Sequence, residues 1–262
     1  MKYSKPDDLV SVIINCHNGA KYLKECVESV IDQTYSNWEI VFFDNFSNDN
    51  SLFIINSYKD KRVKVYKTNR ILNLYEARNE AIKKSMGKYI CFLDTDDFWE
   101  KSKIENQLVF LKENPEYEMV YSNYYVLNQK KNKKFLLFDY ELPKGKITKK
   151  ILKNYTIGIL TVFIKKEIFK KNSFNPELSI IGDFDFFVRI SNDYKIGCIQ
   201  KPLATYRAHE NNYSKKNIKK YISELKNWID KNEISFKKKG LNLFNQKYLL
   251  IKLRLKKYLT IK

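Results

Sequence analysis

Aspartates collect at two points of the chain, each after an apolar run that is typical of a buried strand. They are Asp44 and Asp49 near the first run and Asp94, Asp96 and Asp97 after the second. A single aspartate in such a place is commonly a turn or N-cap residue. Several carboxylates at one rim repel one another, however, and a bound cation makes such a cluster tolerable. The pattern therefore predicts a cation site.

The residue types also indicate which cation would bind. Hard oxygen ligands without a matching set of His or Cys residues favour Mg²⁺ or Mn²⁺ over zinc. Such an ion keeps positions open for phosphate oxygens. The chain has neither the G-x-G-x-x-G motif of dinucleotide-binding folds nor the G-x-x-x-x-G-K-[ST] motif of P-loop proteins. We therefore expect a metal ion, rather than a glycine-rich loop, to hold a diphosphate.

The elements that position these aspartates follow from hydrophobic periodicity. The pattern predicts strands at 9–14, 39–43, 63–66 and 88–93, and helices at 22–31, 52–55, 73–86 and 101–112. The helix over 73–86 is expected to close with Gly87 in the left-handed conformation. Strands that alternate with helices indicate parallel β-α-β units around a buried sheet. In such a sheet, ligands bind beyond the carboxyl ends of the strands.

The second half of the chain predicts further strands and then a helical end. A second sheet region is expected to begin at 119–138, with a strand at 158–164, a short helix at 183–191 and one or two strands at 196–206. Residues 214–262 have mostly helical spacing, although 251–255 also alternates with a period of two. We interpret this last segment as helical.

Length and charge suggest how the chain is organised. Its 262 residues suffice for one large core, and 44% apolar residues exclude wholesale disorder. The formal net charge is +19, and residues 211–262 hold fifteen Lys or Arg but only three acidic residues. We therefore divide the chain into an α/β domain at 1–212 and a basic helical extension at 213–262. The extension is a candidate contact for an anionic surface.

The sequence indicates a cytoplasmic protein with reduced cysteines. Residues 1–10 lack the apolar segment of a secretory signal, and no apolar run approaches the roughly eighteen residues of a membrane-spanning helix. The cysteines at 16, 26, 91 and 198 are widely spaced, with no C-x-x-C pair. We interpret them as buried free thiols.

An ordered series of short motifs resembles glycosyltransferase family 2. The segments are 10–19 (VSVIINCHNG), 33–35 (QTY), 38–40 (WEI), 44–49 (DNFSND), 77–82 (ARNEAI), 87–90 (GKYI) and 92–99 (FLDTDDFW). A lone D-x-D is a weak signal, but this series keeps its order and spacing, and the resemblance covers roughly residues 8–210. It implies a GT-A fold that binds a nucleotide-activated sugar, with a UDP-sugar favoured, and transfers the sugar with inversion.

The resemblance also implies roles for individual residues. Asp44 would hold the base or ribose of the nucleotide, in a pocket lined by the backbone at 15–17. Asp94 and Asp96 form the D-x-D motif, in which Asp96 would bind the metal and Asp94 the metal or the ribose. Arg78 would lie near the nucleotide or order the D-x-D loop.

The sequence departs from the family at several of these positions. Many relatives have Pro in place of Asn15, Tyr in place of His17 and a second acid in place of Asn45. Because Asn15 and His17 belong to the implied nucleotide pocket, the departures concern the contacts to the nucleobase. For His17 we expect packing at the end of the first strand rather than proton transfer.

An inverting displacement needs one carboxylate as general base for the acceptor hydroxyl. Asp183, in the segment 182–189 (GDFDFFVR), occupies the position of the family's catalytic base, although the residues alone would equally suit a helix N-cap. Gly182 replaces the commoner Glu, and Asp185 is expected to have a supporting role. His209, in a Y-R-x-H segment, would close over the pyrophosphate or approach the metal; a surface-loop histidine is the alternative.

The implied partners are a nucleotide-sugar donor, Mn²⁺ or Mg²⁺, and a glycan or lipid-linked saccharide acceptor, as in assembly of bacterial surface polysaccharide or lipopolysaccharide. Residues 214–262 would suit reversible docking on the inner face of the cell membrane, since each basic residue contributes about 1 kcal/mol at an anionic leaflet. A solvated, lysine-rich helix is the alternative for this segment.

Two other classes of protein remain open. A metal-dependent nucleotidyltransferase shares the fold and the carboxylates, but it usually needs a glycine-rich loop near its first strand, where this chain has only Asn18-Gly19. A nucleic-acid-binding module would also be basic, but the sequence contains no recognition motif and its positive charge is concentrated away from the aspartates. We therefore expect no nucleic acid partner.

Overall fold

Nine strands form one sheet in the computed structural model, within the described residues 8–210 and 212–259. Residues 1–7 and 211 of the segment 1–212, and residues 260–262 of the segment 213–262, lie outside this description. Two hydrophobic clusters cover opposite faces of the sheet, because successive side chains of a strand point to opposite sides. On β1, for example, Val12 and Ile14 belong to one cluster and Ile13 to the other. The sheet is thus a buried layer between helices.

The first half of the chain forms parallel β-α-β units. The elements are β1 Val10–Cys16, α1 Ala20–Ile31, β2 Trp38–Asp44, α2 Ser51–Ser57, β3 Val63–Lys67, α3 Leu74–Lys84 and β4 Tyr89–Phe92. Strand β1 pairs in parallel with both β2 and β4, and β2 pairs in parallel with β3. The predicted parallel arrangement is therefore confirmed. The carboxyl ends of β1, β2 and β4 meet at one edge.

The second half extends the same sheet. Its elements are β5 Phe98–Trp99, α4 Lys103–Glu113, β6 Met119–Asn128, β7 Lys133–Leu136, α5 Thr148–Lys153, β8 Phe163–Lys165, α6 Gly182–Asp193 and β9 Ile196–Ala208. The strand order is β3-β2-β1-β4-β8-β6-β9-β5, with β7 paired to β6. Strand β8 pairs antiparallel with both β4 and β6. The second sheet region expected at 119–138 is thus continuous with the first.

Two local predictions are wrong. Gly87 is not in the left-handed conformation, and α3 already ends at Lys84. A Cβ atom at Gly87 would lie 2.6 Å from the backbone nitrogen of Ser11, so the glycine permits a close approach of two backbones. The strand expected at 158–164 is a 3₁₀ turn at Ile159–Thr161 followed by the short strand β8.

The chain ends in helices that pack on the α/β core. These are α7 Tyr213–Lys216, α8 Ile218–Lys238 and α9 Phe244–Leu259, so the segment 251–255 is helical despite its alternation. Leu225 and Trp228 of α8 and Leu250 of α9 are buried in the hydrophobic cluster that also contains residues of α3 and α6. Among the described residues, no helix is long and apolar enough to cross a bilayer.

All four cysteines are buried and unpaired, as predicted. Cys16 and Cys91 lie in strands of the parallel sheet, and Cys26 lies on the inner side of α1. Burial raises the pKa of the Cys91 thiol to about 11, so this group stays protonated at neutral pH. These residues act as small apolar core residues.

A carboxylate of α8 anchors the chain before α6. Glu224 is buried, and its two oxygens accept hydrogen bonds from the backbone N–H groups of Ser179 (2.9 Å), Ile180 (2.9 Å) and Ile181 (3.2 Å). Bonds to a charged acceptor are stronger than bonds between neutral groups. Glu224 therefore fixes the backbone immediately before the α6 segment that contains Asp183.

The substitution Glu224→Gln should lower the free energy of unfolding by about 1–3 kcal/mol. The amide keeps the size of the side chain but replaces one acceptor oxygen with a donor, which leaves a buried N–H unpaired. Chemical denaturation would measure the difference. Glu233→Gln, which removes an exposed ion pair with Lys247, is the matched control and should cost less than about 1 kcal/mol. Equal losses for both variants would contradict the anchoring role.

Candidate active site

A cavity of about 600 Å³ opens at the carboxyl ends of β1 and β4. Six of the predicted site residues line it: Asn15, His17, Arg78, Asp94, Asp96 and Asp183. Two do not: Asp44 is buried at the end of β2, and His209 contacts Asp96 from the turn after β9. The structure thus gathers residues from distant parts of the sequence around one space.

Arg78 is a buried cation beside the D-x-D motif. It lies on α3, and its guanidinium donates a hydrogen bond of 2.6 Å to Oδ1 of Asp94. Its Cζ atom also lies 5.3 Å from the ring centroid of Tyr75. A buried charge is costly unless it is paired and hydrogen-bonded. The pairing therefore holds the Asp94 side chain against α3.

Asp96 is held by the end of β9 and the turn that follows. Its Oδ2 lies 2.8 Å from Nε2 of His209 and 3.4 Å from Nδ2 of Asn212. Arg207 donates from Nε to the backbone oxygen of Asp96 and from its backbone N–H to Oδ1 of Asp97, both at 2.8 Å. These contacts fix the D-x-D loop between two parts of the sheet.

Negative charge in this loop is only partly compensated. Burial and the neighbouring Asp94 raise the pKa of Asp96, although the hydrogen bond with His209 lowers it. Burial, together with Asp96 and Asp94, raises the pKa of Asp97 well above its usual range. Because like charges disfavour ionisation, a cation placed among these carboxylates would stabilise their charged forms.

The donor set fits an open site for a hard divalent cation. Within residues 8–210 and 212–259, no three His, Cys, Asp or Glu side chains form a closed metal-binding group. Magnesium is typically held by one or two carboxylates, and the remaining positions go to water and substrate phosphates. Asp96, with Asp94 and His209 close by, offers such an arrangement.

Two further aspartates of the predicted rim, Asp49 and Asp97, support the fold. Asp49 accepts hydrogen bonds from the backbone N–H groups of Ala20 (3.0 Å) and Ser51 (2.9 Å), which belong to the first turns of α1 and α2. Asp97 is buried and accepts the N–H of Arg207. Both use their carboxylates for backbone groups, as aspartates in turns and caps commonly do.

Two buried polar atoms near the ends of β1 and β2 lack partners among the described residues. They are Nδ2 of Asn15, a donor, and Oδ1 of Asp44, an acceptor. The other carboxylate oxygen of Asp44 accepts the backbone N–H of Ser47 at 3.1 Å. Most buried polar atoms in proteins are hydrogen-bonded, so unpaired ones at neighbouring strand ends indicate a position for a polar ligand.

Asn45 and His17 shape the same end of the cavity. Asn45 exchanges two hydrogen bonds with the backbone of Leu72, at 2.8 and 2.9 Å, and thereby holds the segment before α3. Nδ1 of His17 lies 2.9 Å from the backbone oxygen of Asn45. The packing role expected for His17 is wrong, because its side chain is exposed and lines the cavity.

Asp183 lies in the first turn of α6 and faces the cavity. Its Oδ1 accepts hydrogen bonds from the Tyr75 hydroxyl (3.2 Å) and from the backbone N–H of Phe184 (2.8 Å). Burial raises the pKa of Asp183, whereas Arg78 and these two hydrogen bonds lower it. A carboxylate with a raised pKa is a better proton acceptor than one in water.

Steric contact with Tyr75 explains why a glycine, Gly182, precedes Asp183. A Cβ atom at Gly182 would lie 2.4 Å from the ring of Tyr75, so a larger residue would displace that ring. The ring position matters because the Tyr75 hydroxyl reaches Asp183. Gly182, which departs from the family pattern, therefore leaves the space that the Tyr75 ring occupies.

Asp185 supports the helix that bears Asp183. It is buried, and its Oδ1 accepts a hydrogen bond of 2.9 Å from Nε1 of Trp228. Its Oδ2 accepts a hydrogen bond of 3.0 Å from Nε of Arg189. Both oxygens are thus engaged by protein groups, in keeping with the supporting role expected from sequence.

Several residues at the cavity were not predicted from sequence. Tyr75 bonds to Asp183, Asn212 contacts Asp96, and Tyr155 lines the cavity with a buried hydroxyl that has no partner in the described part of the chain. Tyr75 and Asp183 are 108 positions apart, so spacing alone provides no signal for their contact. Asn212 could have been noticed, because it follows the Y-R-x-H segment closely.

The sheet topology, with the D-x-D motif at its edge, is that of the GT-A fold. The chain belongs to glycosyltransferase family 2, because the profile of the family described as "Glycosyl transferase family 2" matches residues 11–172. The predicted enzyme class is therefore confirmed, and the nucleotidyltransferase and nucleic-acid-binding alternatives are not supported.

Two relatives illustrate the family match. An uncharacterized glycosyltransferase of Methanocaldococcus jannaschii is 33% identical over 237 residues, which cover 85% of this chain and 80% of the relative. The Escherichia coli protein WfgD, named as a UDP-Glc:α-D-GlcNAc-diphosphoundecaprenol β-1,3-glucosyltransferase, is 31% identical over 193 residues, 74% of each chain.

Two solved structures share the fold. Residues 1–349 of S. aureus TarS in complex with UDP align with a TM-score of 0.62 and 20% identity, covering 82% of this chain and 65% of that chain. A mannosyltransferase from Pyrobaculum calidifontis in complex with GDP-Man and Mn²⁺ aligns with a TM-score of 0.61 and 14% identity, covering 82% and 61%. The present chain spans less than two thirds of either, and at these identities the likeness shows the fold alone.

Proposed function

We propose that this enzyme transfers a sugar from a UDP-sugar to a hydroxyl of a lipid-linked saccharide, with inversion at the anomeric carbon. The observation that carries the proposal is that the D-x-D aspartates and Asp183 line one cavity. Arg78 and Tyr75 connect them, since Arg78 bonds to Asp94 and Tyr75 bonds to Asp183. The D-x-D carboxylates would thus bind the donor with its metal ion, and the Asp183 carboxylate would activate the acceptor.

The nucleobase would occupy the end of the cavity near Asn15 and Asp44. Their unpaired donor and acceptor match the mixed donors and acceptors on the edge of a nucleobase. His17 and the backbone at 15–17 would line this pocket, and Arg78 would stay at its rim. Uracil is favoured because WfgD is named as a UDP-Glc enzyme and the TarS structure contains UDP.

The diphosphate would bind beside the D-x-D loop with Mn²⁺ or Mg²⁺. Asp96 would be the main metal ligand, with Asp94 as a further ligand or a ribose contact and His209 as a third candidate. The P. calidifontis structure with Mn²⁺ supports this assignment by fold analogy. When bound, the ion would stabilise the negative charge of the departing nucleoside diphosphate.

Asp183 would act as the general base. As the acceptor oxygen forms its bond to the anomeric carbon, the bond from that carbon to the β-phosphate oxygen breaks, and Asp183 takes the acceptor proton. The Tyr75 hydroxyl and the Phe184 N–H orient the carboxylate. The unpaired Tyr155 hydroxyl, whose ring packs against Phe184 at 5.2 Å between centroids, is a candidate contact for the acceptor.

The acceptor would be a saccharide on a lipid diphosphate, in assembly of bacterial surface polysaccharide or lipopolysaccharide. This class follows from the name of WfgD, whose acceptor is a diphosphoundecaprenol-linked sugar. In this scheme residues 1–212 form the catalytic domain. Residues 213–262 form the basic extension. Within it, residues 214–262 would bind the anionic inner face of the cell membrane and thereby hold the cytoplasmic enzyme at that surface.

Thermal unfolding with nucleotides tests the donor site. UDP together with Mn²⁺ should raise the melting temperature of the enzyme more than either alone and more than GDP, ADP or CDP, because a ligand that binds the folded state stabilises it. Asp44→Asn should reduce the shift. Asp49→Asn is the matched control, since Asp49 holds the first turns of α1 and α2 and does not line the cavity, and it should keep the shift. No shift with any nucleotide from folded protein would contradict the proposal.

Replacing the proposed base should strongly reduce turnover but not donor binding. Asp183→Asn is expected to lower kcat about 10²-fold to 10⁴-fold, because the amide cannot accept the proton. The thermal shift with UDP and Mn²⁺ should stay close to that of the wild type. Asp193→Asn, at the exposed far end of the same helix, should leave kcat unchanged. Turnover of Asp183→Asn near the wild-type level would rule out the base.

The raised pKa of Asp183 predicts a pH dependence of both rate and stability. The base acts only when deprotonated, so kcat should fall as pH decreases through a pKa above the ordinary aspartate value of about 4. The folded state also binds this proton more tightly than the unfolded state does, so ionisation destabilises the fold as pH rises. Asp183→Asn should therefore unfold at a higher temperature than the wild type at neutral pH, and this difference should shrink on acidification. A constant difference across pH would contradict the assignment.

A further inference from the structure

The outer face of α9 presents a stripe of apolar side chains to solvent. Phe244, Tyr248, Ile251 and Leu255 are 70, 51, 53 and 59% exposed. Their spacing of four, three and four residues places them on one side of a helix that turns about 100° per residue. The opposite side packs inward through Leu250. Core packing thus explains only the inner side of this helix, and a contiguous exposed apolar patch commonly marks an interaction site.

Basic side chains border this stripe on both sides. The helical spacing places Lys252 on one flank and Lys247 and Arg254 on the other. The helix has five Lys or Arg residues and no Asp or Glu. Nζ of Lys252 lies 4.5 Å from the ring centroid of Tyr248, so positive charge directly adjoins the apolar stripe. Lys247 also pairs with Glu233 of α8.

We propose that the outer face of α9 docks the enzyme on the anionic headgroups of a bilayer, with its apolar stripe inserted among them. Helices that lie in a membrane interface combine an apolar stripe with flanking Lys and Arg. The helix would lie in the plane of the membrane surface and would not span it, in agreement with its length and composition. The proposal deepens the proposed function, because it names the surface that would reach a lipid-linked acceptor.

Charge favours a lipid surface over a second copy of this chain. A symmetric dimer through the stripe would bring together two helices that each contain only basic charged residues. Such like charges repel, whereas anionic headgroups attract the basic side chains that border the stripe. The stripe and its flanks therefore fit a negatively charged interface.

The position of the stripe also suits delivery of an acceptor. Phe244 and Lys153 line one surface pocket. Lys153 also lines a second pocket of about 550 Å³, together with Lys144, Lys150 and Thr156. Thr156 in turn lines the active-site cavity. Pockets lined by lysines thus adjoin one another between the stripe and the active-site cavity, and these lysines would accompany the diphosphate of a lipid-linked acceptor.

Flotation with vesicles tests the docking surface on the full-length enzyme. Wild-type protein should float with vesicles of phosphatidylglycerol and phosphatidylcholine but not with phosphatidylcholine alone. The double variant Ile251→Ser with Leu255→Ser should weaken binding about tenfold or more, because it removes inserted apolar area. Lys252→Gln with Arg254→Gln should weaken binding about fivefold for each charge removed.

Matched controls come from α8. Ile234→Ser changes an apolar side chain that is 71% exposed, and Lys231→Gln with Lys238→Gln removes two exposed charges. These variants should bind vesicles more like the wild type than the α9 variants do. If the α9 variants bind vesicles as well as these controls, the proposal is overturned. A change of sedimentation from dimer to monomer without altered lipid binding would instead assign the stripe to self-association.

Turnover separates this inference from the proposed function. With a water-soluble acceptor that lacks the lipid chain, the α9 variants should keep wild-type kcat, since none of the changed residues lines the cavity. Vesicle binding by a wild-type protein that turns over no nucleotide sugar would preserve the docking surface and reject the donor chemistry. Turnover of a nucleotide sugar without vesicle binding would support the donor chemistry and reject the docking surface.

Discussion

The buried charge of Arg78 constrains much of the site around it. A guanidinium in the protein interior must be paired, so the position of α3 fixes Asp94 at 2.6 Å and with it one end of the D-x-D loop. Tyr75 lies three residues earlier on the same side of this helix, and its hydroxyl reaches Asp183. One helix therefore sets the relation between the residues assigned to the donor and the residue assigned to the acceptor. A shift of α3 would disturb both together.

The C-terminal helices add a second constraint from the other side of α6. Glu224 binds the backbone before this helix, and Trp228, one turn further along α8, donates to Asp185. Asp185 is two residues from Asp183, so α8 helps to position the proposed base although it contributes nothing to the cavity wall. The basic extension thus has an inner side that holds the helix bearing the proposed base. The positive charge on the outer side of the extension is a separate property. Contacts with the core explain residues such as Glu224 and Trp228, and they do not explain the exposed Lys and Arg residues.

Elements whose signal is local were predictable, and contacts between distant segments were not. The parallel strands and the helices follow from periodicity and match within a few residues. The need for glycine at position 87 comes from the backbone of Ser11 on the neighbouring strand β1, which is distant in sequence. Periodicity also could not separate Asp97, which bonds to Arg207, from Asp96, since both follow the same strand. The roles given to Asp44, Asp94, Asp96, Asp183 and His209 depended on the family resemblance, and they stay proposals.

The site contains groups that burial penalises. Asp183 has a raised pKa, and Asn15 and Asp44 each hide a polar atom without a partner among the described residues. The unpaired atoms of Asn15 and Asp44 lower the stability of the folded chain, because their hydration is lost without a compensating hydrogen bond. Burial penalises the charged form of Asp183, although the Tyr75 hydroxyl and the Phe184 N–H donate hydrogen bonds to it. A nucleotide that pairs with the atoms of Asn15 and Asp44 would recover this free energy on binding. The same argument does not extend to Asp183, since its carboxylate already accepts hydrogen bonds from Tyr75 and Phe184 and, in the proposed scheme, meets the acceptor hydroxyl rather than the donor. Donor binding should therefore stabilise the protein, while the raised pKa of the base is retained for the chemical step.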